Sequence, residues 1–429
     1  MSGSTIISVE GREIMSERWH PGVQATVITE NGARGVAVCT AGTSIGSHEI
    51  PFAYDGGEKW RGKGVMSAIN SINDKIAPLL IGMDASKQVQ VDAAMLAVGK
   101  DVLGGNATGA VSAAVLKAGA ASLGIPLYQH IGGANSYTLP VPGAGVYSGS
   151  DRYGDHTKKS GGKPTIEFTA YDFATFSEAS YALWDIVDRW REELPKKFGS
   201  EIGVMLNNQM GPIGPGFVKS DEEIWDLMAE LICKYGYENK IGIQMDIASD
   251  TYFNKETDKF EGLFDSTPRS IDQLIEYLVE LPRKWPFVVI EDPLPEDDYE
   301  ATGEFTRAVD IQVVGDDLFT TNPSRVLEGI KYGAANTVLL KVNQIGSISE
   351  SFAMVNLAYN NDYGVMPCSS RGEGIDICDY AVGLNTGSIR GCGVGPAGNR
   401  FLEIERELKG SAVFAGKRGL KGKRFQLRP

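Results

Sequence analysis

The first part of the chain carries two short runs rich in β-branched and small apolar residues. They lie at residues 25–29 and 35–39, and Asn31-Gly32 stands between them. Asn-Gly between two such runs is the strongest short-range signal for a β-hairpin. The pattern therefore predicts antiparallel strands near the start of the chain.

A helical pattern follows these strands. Its apolar residues repeat at i, i+3, i+4 and i+7, at Val111, Ala114, Val115 and Ala118. Gly124, with Pro126 just beyond it, predicts where this helix ends. Strands followed by helices indicate an α+β unit.

Glycine and proline concentrate at residues 132–135 and 139–142, and this density marks a boundary. A chain of 429 residues is long enough for two domains. We therefore expect an N-terminal α+β capping domain at 1–138 and a C-terminal catalytic domain at 139–429.

Beyond the boundary, short buried strand patterns alternate with helical stretches such as 270–281. The candidate strands lie at 241–245, 287–290, 311–314 and 337–340. This alternation predicts a parallel sheet, and roughly 290 residues are enough for a closed eightfold α/β barrel. An open doubly wound sheet is the alternative, although the sequence carries no glycine-rich dinucleotide-binding fingerprint.

Residues 148–163 interrupt this pattern, because they are rich in glycine, lysine and serine and poor in apolar residues. We expect a mobile surface loop near the start of the barrel. It is either a lid over a functional site or a tolerated insertion.

Composition and charge narrow the class of protein. Hydrophobic residues make up 42% and charged residues 22% of the chain, which is typical of a folded globular protein. The net charge of −14 argues against a nucleic-acid partner, because an acidic protein repels phosphate backbones. The five cysteines form no C-x-x-C pair and suit reduced thiols. We see no signal peptide and no run of about 18 apolar residues, so we expect a cytoplasmic protein without membrane contact.

Ionisable residues end the four candidate strands. They are Asp246, Glu291, Asp316 and Lys341. In a barrel, such residues emerge together at the C-terminal face, where active sites are built. A single carboxylate after a strand is more often a helix cap. Three of them followed by a lysine indicate a site.

The chemistry of these side chains points to a divalent cation. Clustered carboxylates repel each other unless a cation neutralises them, and an all-oxygen ligand set favours Mg²⁺. A lysine beside such an ion has a lowered pKa and can act as a base. A metal and a lysine together can remove a proton next to a carboxylate and stabilise the resulting dianion.

The motifs around these residues resemble the enolase family nearly end to end. Three of the four strand ends match its metal-binding segments and the fourth matches its catalytic-lysine segment: Met245-Asp246-Ile247-Ala248-Ser249, Val289-Ile290-Glu291-Asp292-Pro293, Val314-Gly315-Asp316-Asp317-Leu318 and Leu340-Lys341-Val342-Asn343-Gln344-Ile345-Gly346. Other matching segments are Gly42-Thr43-Ser44-Ile45-Gly46-Ser47-His48-Glu49, Leu139-Pro140-Val141-Pro142 and Gly383-Leu384-Asn385-Thr386-Gly387.

The resemblance implies an enolase-type barrel and a lyase that converts 2-phosphoglycerate to phosphoenolpyruvate. It implies two Mg²⁺ ions per active site, a small anionic phospho- or phosphono-carboxylate substrate, and a homodimer or higher homo-oligomer. By resemblance, Asp246, Glu291 and Asp316 hold the first Mg²⁺, Ser44 binds the second, and Lys341 is the base. Glu167 matches one of two family glutamates that handle the leaving hydroxyl.

Several positions depart from the family pattern. The family's Gly-Asp-Glu-Gly-Gly loop, which carries the second glutamate, becomes Leu206-Asn207-Asn208-Gln209-Met210-Gly211 without a carboxylate. Loss of a general acid costs on the order of 10²–10⁴ in rate. The family's Ser-His-Arg-Ser-Gly-Glu segment becomes Cys368-Ser369-Ser370-Arg371-Gly372-Glu373, so its histidine is gone and its phosphate-binding arginine has moved by one position.

Two further changes affect predicted substrate contacts. Arg390 stands where the family has its second active-site lysine, and its planar fork suits an oxyanion better than proton transfer. The family's mobile Ser-His-Ala-Gly-Asn segment is missing, and His156 is the nearest histidine. We include Gln209, Ser369, Ser370, Arg371, Arg390 and His156 as candidate substrate-binding residues.

Three hypotheses follow. The first is lyase chemistry on 2-phosphoglycerate or a close relative. The second keeps the metal and the base for a different reaction, such as a step in phosphonate or phosphinate biosynthesis like that of carboxyphosphonoenolpyruvate synthase. The third is a non-catalytic scaffold, against which the retained metal-binding residues argue.

Overall fold

The computed structural model describes residues 3–16, 19–42, 45–149, 152–153, 163–199, 202 and 211–426. Three candidate site residues, Ser44, His156 and Gln209, lie outside the described residues.

The N-terminal part begins with a three-stranded antiparallel meander. Its strands are β1 (Ile6–Met15), β2 (Pro21–Thr29) and β3 (Arg34–Cys39), in the order β1-β2-β3. Helices follow: α1 (Met66–Asn70), α2 (Ala77–Leu80), α3 (Gln88–Val98), α4 (Lys100–Leu103), α5 (Gly105–Leu123) and α6 (Leu127–Gly132). The predicted hairpin and the predicted helix are both confirmed, whereas β1 was not predicted.

Helix α5 lies directly on the meander and is almost entirely buried. A Cβ atom at Gly35 would come within 2.0 Å of the carbonyl oxygen of Ala114, so β3 can approach α5 this closely only with glycine. The helix ends where the sequence predicts, because Gly124 caps it in the left-handed conformation with φ of 67°.

The second part of the chain is the barrel. Its strands are β4 (Thr138–Leu139), β5 (Val141–Ser148), β6 (Thr165–Ala170), β7 (Gly211–Pro212), β8 (Ile241–Asp246), β9 (Phe253–Asn254), β10 (Lys259–Phe260), β11 (Phe287–Glu291), β12 (Gln312–Gly315), β13 (Thr337–Leu340), β14 (Gly364–Pro367), β15 (Ser388–Cys392) and β16 (Val413–Phe414). Its helices are α7 (Phe176–Phe198), α8 (Glu222–Lys234), α9 (Ile271–Lys284), α10 (Tyr299–Ala308), α11 (Pro323–Tyr332), α12 (Val342–Ile345), α13 (Ile348–Asn360), α14 (Asp376–Gly383) and α15 (Gly395–Leu408).

Eight strands form the barrel wall in the order β14-β13-β12-β11-β8-β6-β5-β15, and its two end strands also contact each other. The expectation of a wholly parallel sheet is wrong for β6, which runs antiparallel to both β5 and β8. No crossover helix separates β5 from β6 in the described residues, and antiparallel neighbours need none. Two successive helices, α7 and α8, then reverse the chain twice before β8.

The barrel and the N-terminal part share packing. Buried apolar side chains of β5, β11, β12, β13 and β14 pack together in one core cluster. A second core joins the meander and α5 to α14 and α15 of the barrel. Across this junction, the backbone amide of Ile50 donates to the carbonyl of Gln344 at 2.9 Å. The segment around Ile50 therefore lies against the carboxyl ends of the barrel strands.

Within the part of the chain that the structure describes, no single helix is long and apolar enough to cross a membrane. Helix α5 and the turn-and-helix segment after it pass that test only as a pair, and they are bent by 96°.

Candidate active site

The four ionisable strand ends converge at one end of the barrel. Asp246 and Glu291 are the last residues of β8 and β11 and stand opposite each other in the parallel pairing. Asp316 and Lys341 directly follow β12 and β13. Because these four strands are consecutive neighbours in the wall, the prediction that these side chains meet agrees with the structure.

The carboxylates form two overlapping groups among the described residues. Oxygen atoms of Asp246, Glu291 and Asp292 lie within 4.8 Å of one another, and so do those of Asp292, Asp316 and Asp317. Asp292 was not predicted as a site residue. Its carboxylate accepts hydrogen bonds from the backbone amides of Asp316 and Asp317, both at 2.9 Å, and so fixes the turn after β12.

Burial and neighbouring cationic side chains have opposite effects on the pKa values of these carboxyl groups. Burial raises the pKa of Glu291 well above its usual range, and Arg390 opposes this effect. The pKa of Asp246 is lowered despite burial, because Arg390 and Lys163 stabilise its ionised form. Burial and the neighbouring Asp316 raise the pKa of Asp317 to about 7. The cluster thus holds more negative charge than it can keep ionised without additional cations.

The free oxygen atoms of the cluster fit a hard divalent cation. Oδ1 of Asp246, Oε2 of Glu291 and Oδ1 of Asp317 are buried, and none of them has a hydrogen-bond partner among the described residues. Buried carboxylate oxygens are left without a donor at a high free-energy cost, unless a cation binds there. A donor set of oxygen atoms alone suits a hard divalent cation such as Mg²⁺.

Lys341 is held inside the same cluster. Its side chain is 2% exposed and its Nζ contacts Oδ2 of Asp316. The other oxygen of Asp316 accepts from Nε2 of Gln344 at 2.8 Å. Burial lowers the pKa of Lys341, but Asp316 outweighs it and raises this pKa above its usual range. A cation on Asp316 would offset that carboxylate and favour the neutral amine that a base requires.

Arg390 contacts two of the predicted metal ligands. Its Nη2 lies 2.5 Å from Oδ2 of Asp246 and its Nη1 lies 2.9 Å from Oε1 of Glu291. Its Nε lies 3.6 Å from Oε1 of Glu167. The guanidinium fork therefore joins three carboxylates on three different strands.

Lys163 is a site residue that the sequence analysis missed. It was assigned to a surface loop at 148–163, but Lys163 and Arg152 are each 7% exposed, so this assignment is wrong for the two residues. The Nζ of Lys163 contacts Oδ2 of Asp246. The one available signal was spacing, because residues 163, 165 and 167 alternate along β6 and the residues that precede it.

Glu167 lies on β6 and is buried. Its Oε2 accepts a hydrogen bond from the backbone amide of Gly391 at 2.9 Å. Burial raises its pKa, although Arg390 and this amide lower it. A carboxyl group with a raised pKa keeps its proton nearer neutral pH, as a general acid must.

The residues after β14 differ in burial. Arg371 is 2% exposed and donates from Nε to Oε2 of Glu49 at 3.0 Å and from Nη1 to Oγ of Ser370 at 3.1 Å. Ser369 is exposed. Ser369 and Ser370 line a cavity of about 420 Å³ together with residues of β1 and β3.

The two glycines that flank Ser44 border this site. A Cβ atom at Gly42 would come within 2.0 Å of Nη1 of Arg371, and one at Gly46 would come within 3.0 Å of Oδ1 of Asp317. Beyond them, Ser47 donates from Oγ to Oε1 of Glu296 at 2.6 Å. Gly42, Gly46 and Ser47 thus lie beside Arg371 and the carboxylates.

Comparison with known proteins matches both parts of the chain. Residues 6–131 match the family model described as the N-terminal domain of enolase, and residues 136–423 match that of the enolase C-terminal TIM barrel domain. Similar curated proteins are the enolases of Methanococcus aeolicus (36% identical), Bifidobacterium animalis subsp. lactis (37%) and Pyrococcus furiosus (37%), each aligned over 96% of this chain and 97% of the relative. The chain therefore belongs to the enolase family and has that family's lyase architecture.

Proposed function

We propose that this enolase-family lyase removes the α-proton of 2-phosphoglycerate or a close analogue with Lys341 and depends on Mg²⁺. The observation that carries the proposal is the contact of Lys341 with Asp316 inside a buried group of strand-end carboxylates. Because the base contacts one of the proposed metal ligands, the base could act on the α-carbon of a substrate whose carboxylate binds the metal.

Lys341 has the position that a base requires. It follows β13, and its backbone amide donates to Oγ1 of Thr321 at 3.0 Å, which fixes the start of the side chain. With Asp316 engaged by a cation, the amine accepts the substrate's α-proton at Nζ.

Asp246, Glu291 and Asp316 would hold the first Mg²⁺, and Ser44 would contribute to a second. When bound, the metal neutralises the two negative charges that develop on the substrate carboxylate. The three protein carboxylates would bind the metal, and Arg390 contacts two of them, Asp246 and Glu291.

Glu167 would protonate the leaving hydroxyl. Its burial and its contact with Arg390 place it at the edge of the same cluster. The sequence at 206–211 supplies amides rather than a second carboxylate, so Glu167 would act without the family's usual partner. Gln209, Ser369, Ser370, Arg371 and His156 remain proposed substrate contacts.

A second candidate is a diverged reaction on the same scaffold, such as a step like that of carboxyphosphonoenolpyruvate synthase. One observation favours it. Lys163 and Arg390 both contact Asp246, so two cationic side chains lie against one proposed metal ligand. Such an arrangement suits a substrate with more negative charge than 2-phosphoglycerate.

We also propose a cytoplasmic homodimer or larger homo-oligomer, as the family resemblance implies. Light scattering of the purified chain at several concentrations tests the oligomer, and a mass equal to one chain at all of them would contradict it.

The first experiment mixes the purified protein with Mg²⁺ and 2-phosphoglycerate and follows phosphoenolpyruvate by ultraviolet absorbance. Turnover that disappears with excess chelator and returns with Mg²⁺ supports the proposal. The matched controls are Lys341→Ala, which removes the base, and Lys331→Ala, which removes an exposed lysine that pairs with Glu328. Mg²⁺ binding without turnover would favour the second candidate, and phosphonate analogues would then be tested.

A further inference from the structure

The two carboxylate oxygens of Asp246 differ in their contacts. Its Oδ2 contacts Nζ of Lys163, lies 2.5 Å from Nη2 of Arg390 and lies 3.4 Å from Oγ1 of Thr165. Its Oδ1 is buried and has no hydrogen-bond partner among the described residues. Two cationic side chains therefore share one oxygen, while the other is left without a donor among the described residues and could bind a metal ion.

Lys163 is fixed in this place by its backbone. Its carbonyl accepts a hydrogen bond from the hydroxyl of Tyr252 at 2.6 Å. On the opposite side, the amide of Gly149 donates to the carbonyl of Pro164 at 2.7 Å, and a Cβ atom at Gly149 would come within 1.6 Å of the carbonyl oxygen of Lys163. With a side chain only 8% exposed, Lys163 has little freedom to leave Asp246 for solvent.

Each proposed metal ligand already has a cationic partner. Lys163 and Arg390 contact Asp246, Arg390 contacts Glu291, and Lys341 contacts Asp316. Lys341 and Arg390 have assigned roles in the proposed reaction, whereas Lys163 has none.

We propose that Lys163 is a built-in counter-ion of Asp246, which neutralises the metal site before the metal binds and thereby weakens its affinity for Mg²⁺. Lys163 is a positioning residue, because it acts through Asp246. This inference rests on the proposed metal site.

Lys163 has two opposing effects on Mg²⁺ affinity, since it orients a metal ligand and its charge repels the ion. A group that only orients a metal ligand raises metal affinity by about 10–100-fold. An ammonium about 4 Å from a divalent ion in partly buried surroundings opposes binding by more than about three powers of ten. The repulsion exceeds the gain from orienting the ligand, so we expect a net weakening of at least about tenfold.

The test uses the full chain, freed of metal by chelator and dialysis. The Kd for Mg²⁺ and the thermal unfolding temperature without metal are measured for wild type, Lys163→Met, Lys163→Arg and the surface control Lys331→Met. Lys163→Met should bind Mg²⁺ at least about tenfold more tightly than wild type. It should unfold at a lower temperature without metal, and added Mg²⁺ should raise that temperature more than in wild type. Lys163→Arg and Lys331→Met should stay within about threefold of the wild-type Kd.

A Kd for Lys163→Met that is unchanged or weaker would overturn the inference, since a merely structural loss weakens binding. If Lys163→Met does not fold, Lys163→Gln is measured with the same criterion. Absence of Mg²⁺ binding to wild type and variants alike would instead contradict the proposed function. The two failures are therefore distinguishable.

Discussion

Arg390 and Asp246 meet at 2.5 Å between Nη2 and Oδ2, across the strands β15 and β8. The arginine fork that replaces the family lysine thus reaches the first proposed metal ligand directly. This contact makes Arg390 a support of the proposed metal site, and not only a candidate for binding substrate.

We first predict that Arg390→Ala destabilises the chelator-treated protein by about 3–5 kcal/mol, because it leaves buried carboxylates without their counter-ion. Arg390→Lys keeps the charge but loses the fork, so its loss should be smaller. Urea unfolding followed by circular dichroism measures both. Mg²⁺ should restore part of the stability of Arg390→Ala. Equal stability of Arg390→Ala and wild type would show that the contacts do not stabilise the fold.

The second prediction concerns the base. Lys341→Ala should abolish exchange of the substrate's α-proton with solvent deuterium, because Lys341 is the only lysine that contacts Asp316 in the described part of the chain. Exchange is followed by proton magnetic resonance of 2-phosphoglycerate with Mg²⁺ present. Mg²⁺ binding by calorimetry must persist in the variant, so that loss of the base is separated from loss of metal. Exchange that continues in Lys341→Ala would exclude Lys341 as the base.

The third prediction concerns the metal. Asp316→Ala should weaken Mg²⁺ binding at least about tenfold, because it removes one of the three proposed carboxylate ligands. Calorimetric titration compares it with Asp172→Ala, which removes a carboxylate that is 43% exposed and pairs with Lys417. The control should bind Mg²⁺ as wild type does. An Asp316→Ala variant with wild-type affinity and activity would remove this residue from the metal site.

Most of the barrel was predictable because its buried strands carry a local signal. The expected strand at 337–340 coincides with β13, and that at 241–245 differs from β8 only in its last residue, Asp246. Each such strand is mostly apolar and ends in or is followed by an ionisable residue, and that pattern needs no knowledge of distant contacts. The reversal of β6 was not predictable in this way, because strand direction depends on connections rather than on local periodicity.

Lys163 shows why the burial of a side chain is harder to predict from sequence than a buried strand. Lys163 lies among glycine, serine and lysine residues, a composition that indicates a solvated loop. Its burial arises from Asp246, 83 residues away, and from the hydroxyl of Tyr252. Interactions over such separations leave no mark in the local pattern. The strand-end carboxylates were found because their position itself is the signal.

The fourth prediction separates the two halves of the reaction. Glu167→Gln should lower phosphoenolpyruvate formation by about 10²–10⁴-fold, because an amide cannot donate the proton that the leaving hydroxyl needs. The α-proton should still exchange with deuterium, since Lys341 is intact. Glu178→Gln serves as the control, because Glu178 is on the surface at the start of α7. Loss of both exchange and turnover in Glu167→Gln would mean that Glu167 supports the base step as well.

The last prediction concerns a buried ion pair next to the site. Arg152 forms two parallel bonds with Asp221, from Nε at 3.0 Å and from Nη2 at 2.9 Å, and both side chains are almost completely buried. The hydroxyl of Tyr153 donates to the same carboxylate at 2.9 Å. The pair thus joins the chain after β5 to the start of α8.

Asp221→Ala should destabilise the protein by about 3–5 kcal/mol, because it leaves the Arg152 guanidinium buried without its carboxylate. Replacing both partners, as in Arg152→Met with Asp221→Leu, should cost less than Asp221→Ala alone, since no unpaired charge remains. Urea unfolding with Mg²⁺ present measures the stability of wild type, Asp221→Ala and the double variant. The control is Glu280→Ala, which breaks the exposed pair with Arg283 and should change stability by at most about 1 kcal/mol. A double variant that is as unstable as Asp221→Ala would mean that the pair contributes through its geometry, by holding Tyr153 and α8 in place, and not through compensation of charge.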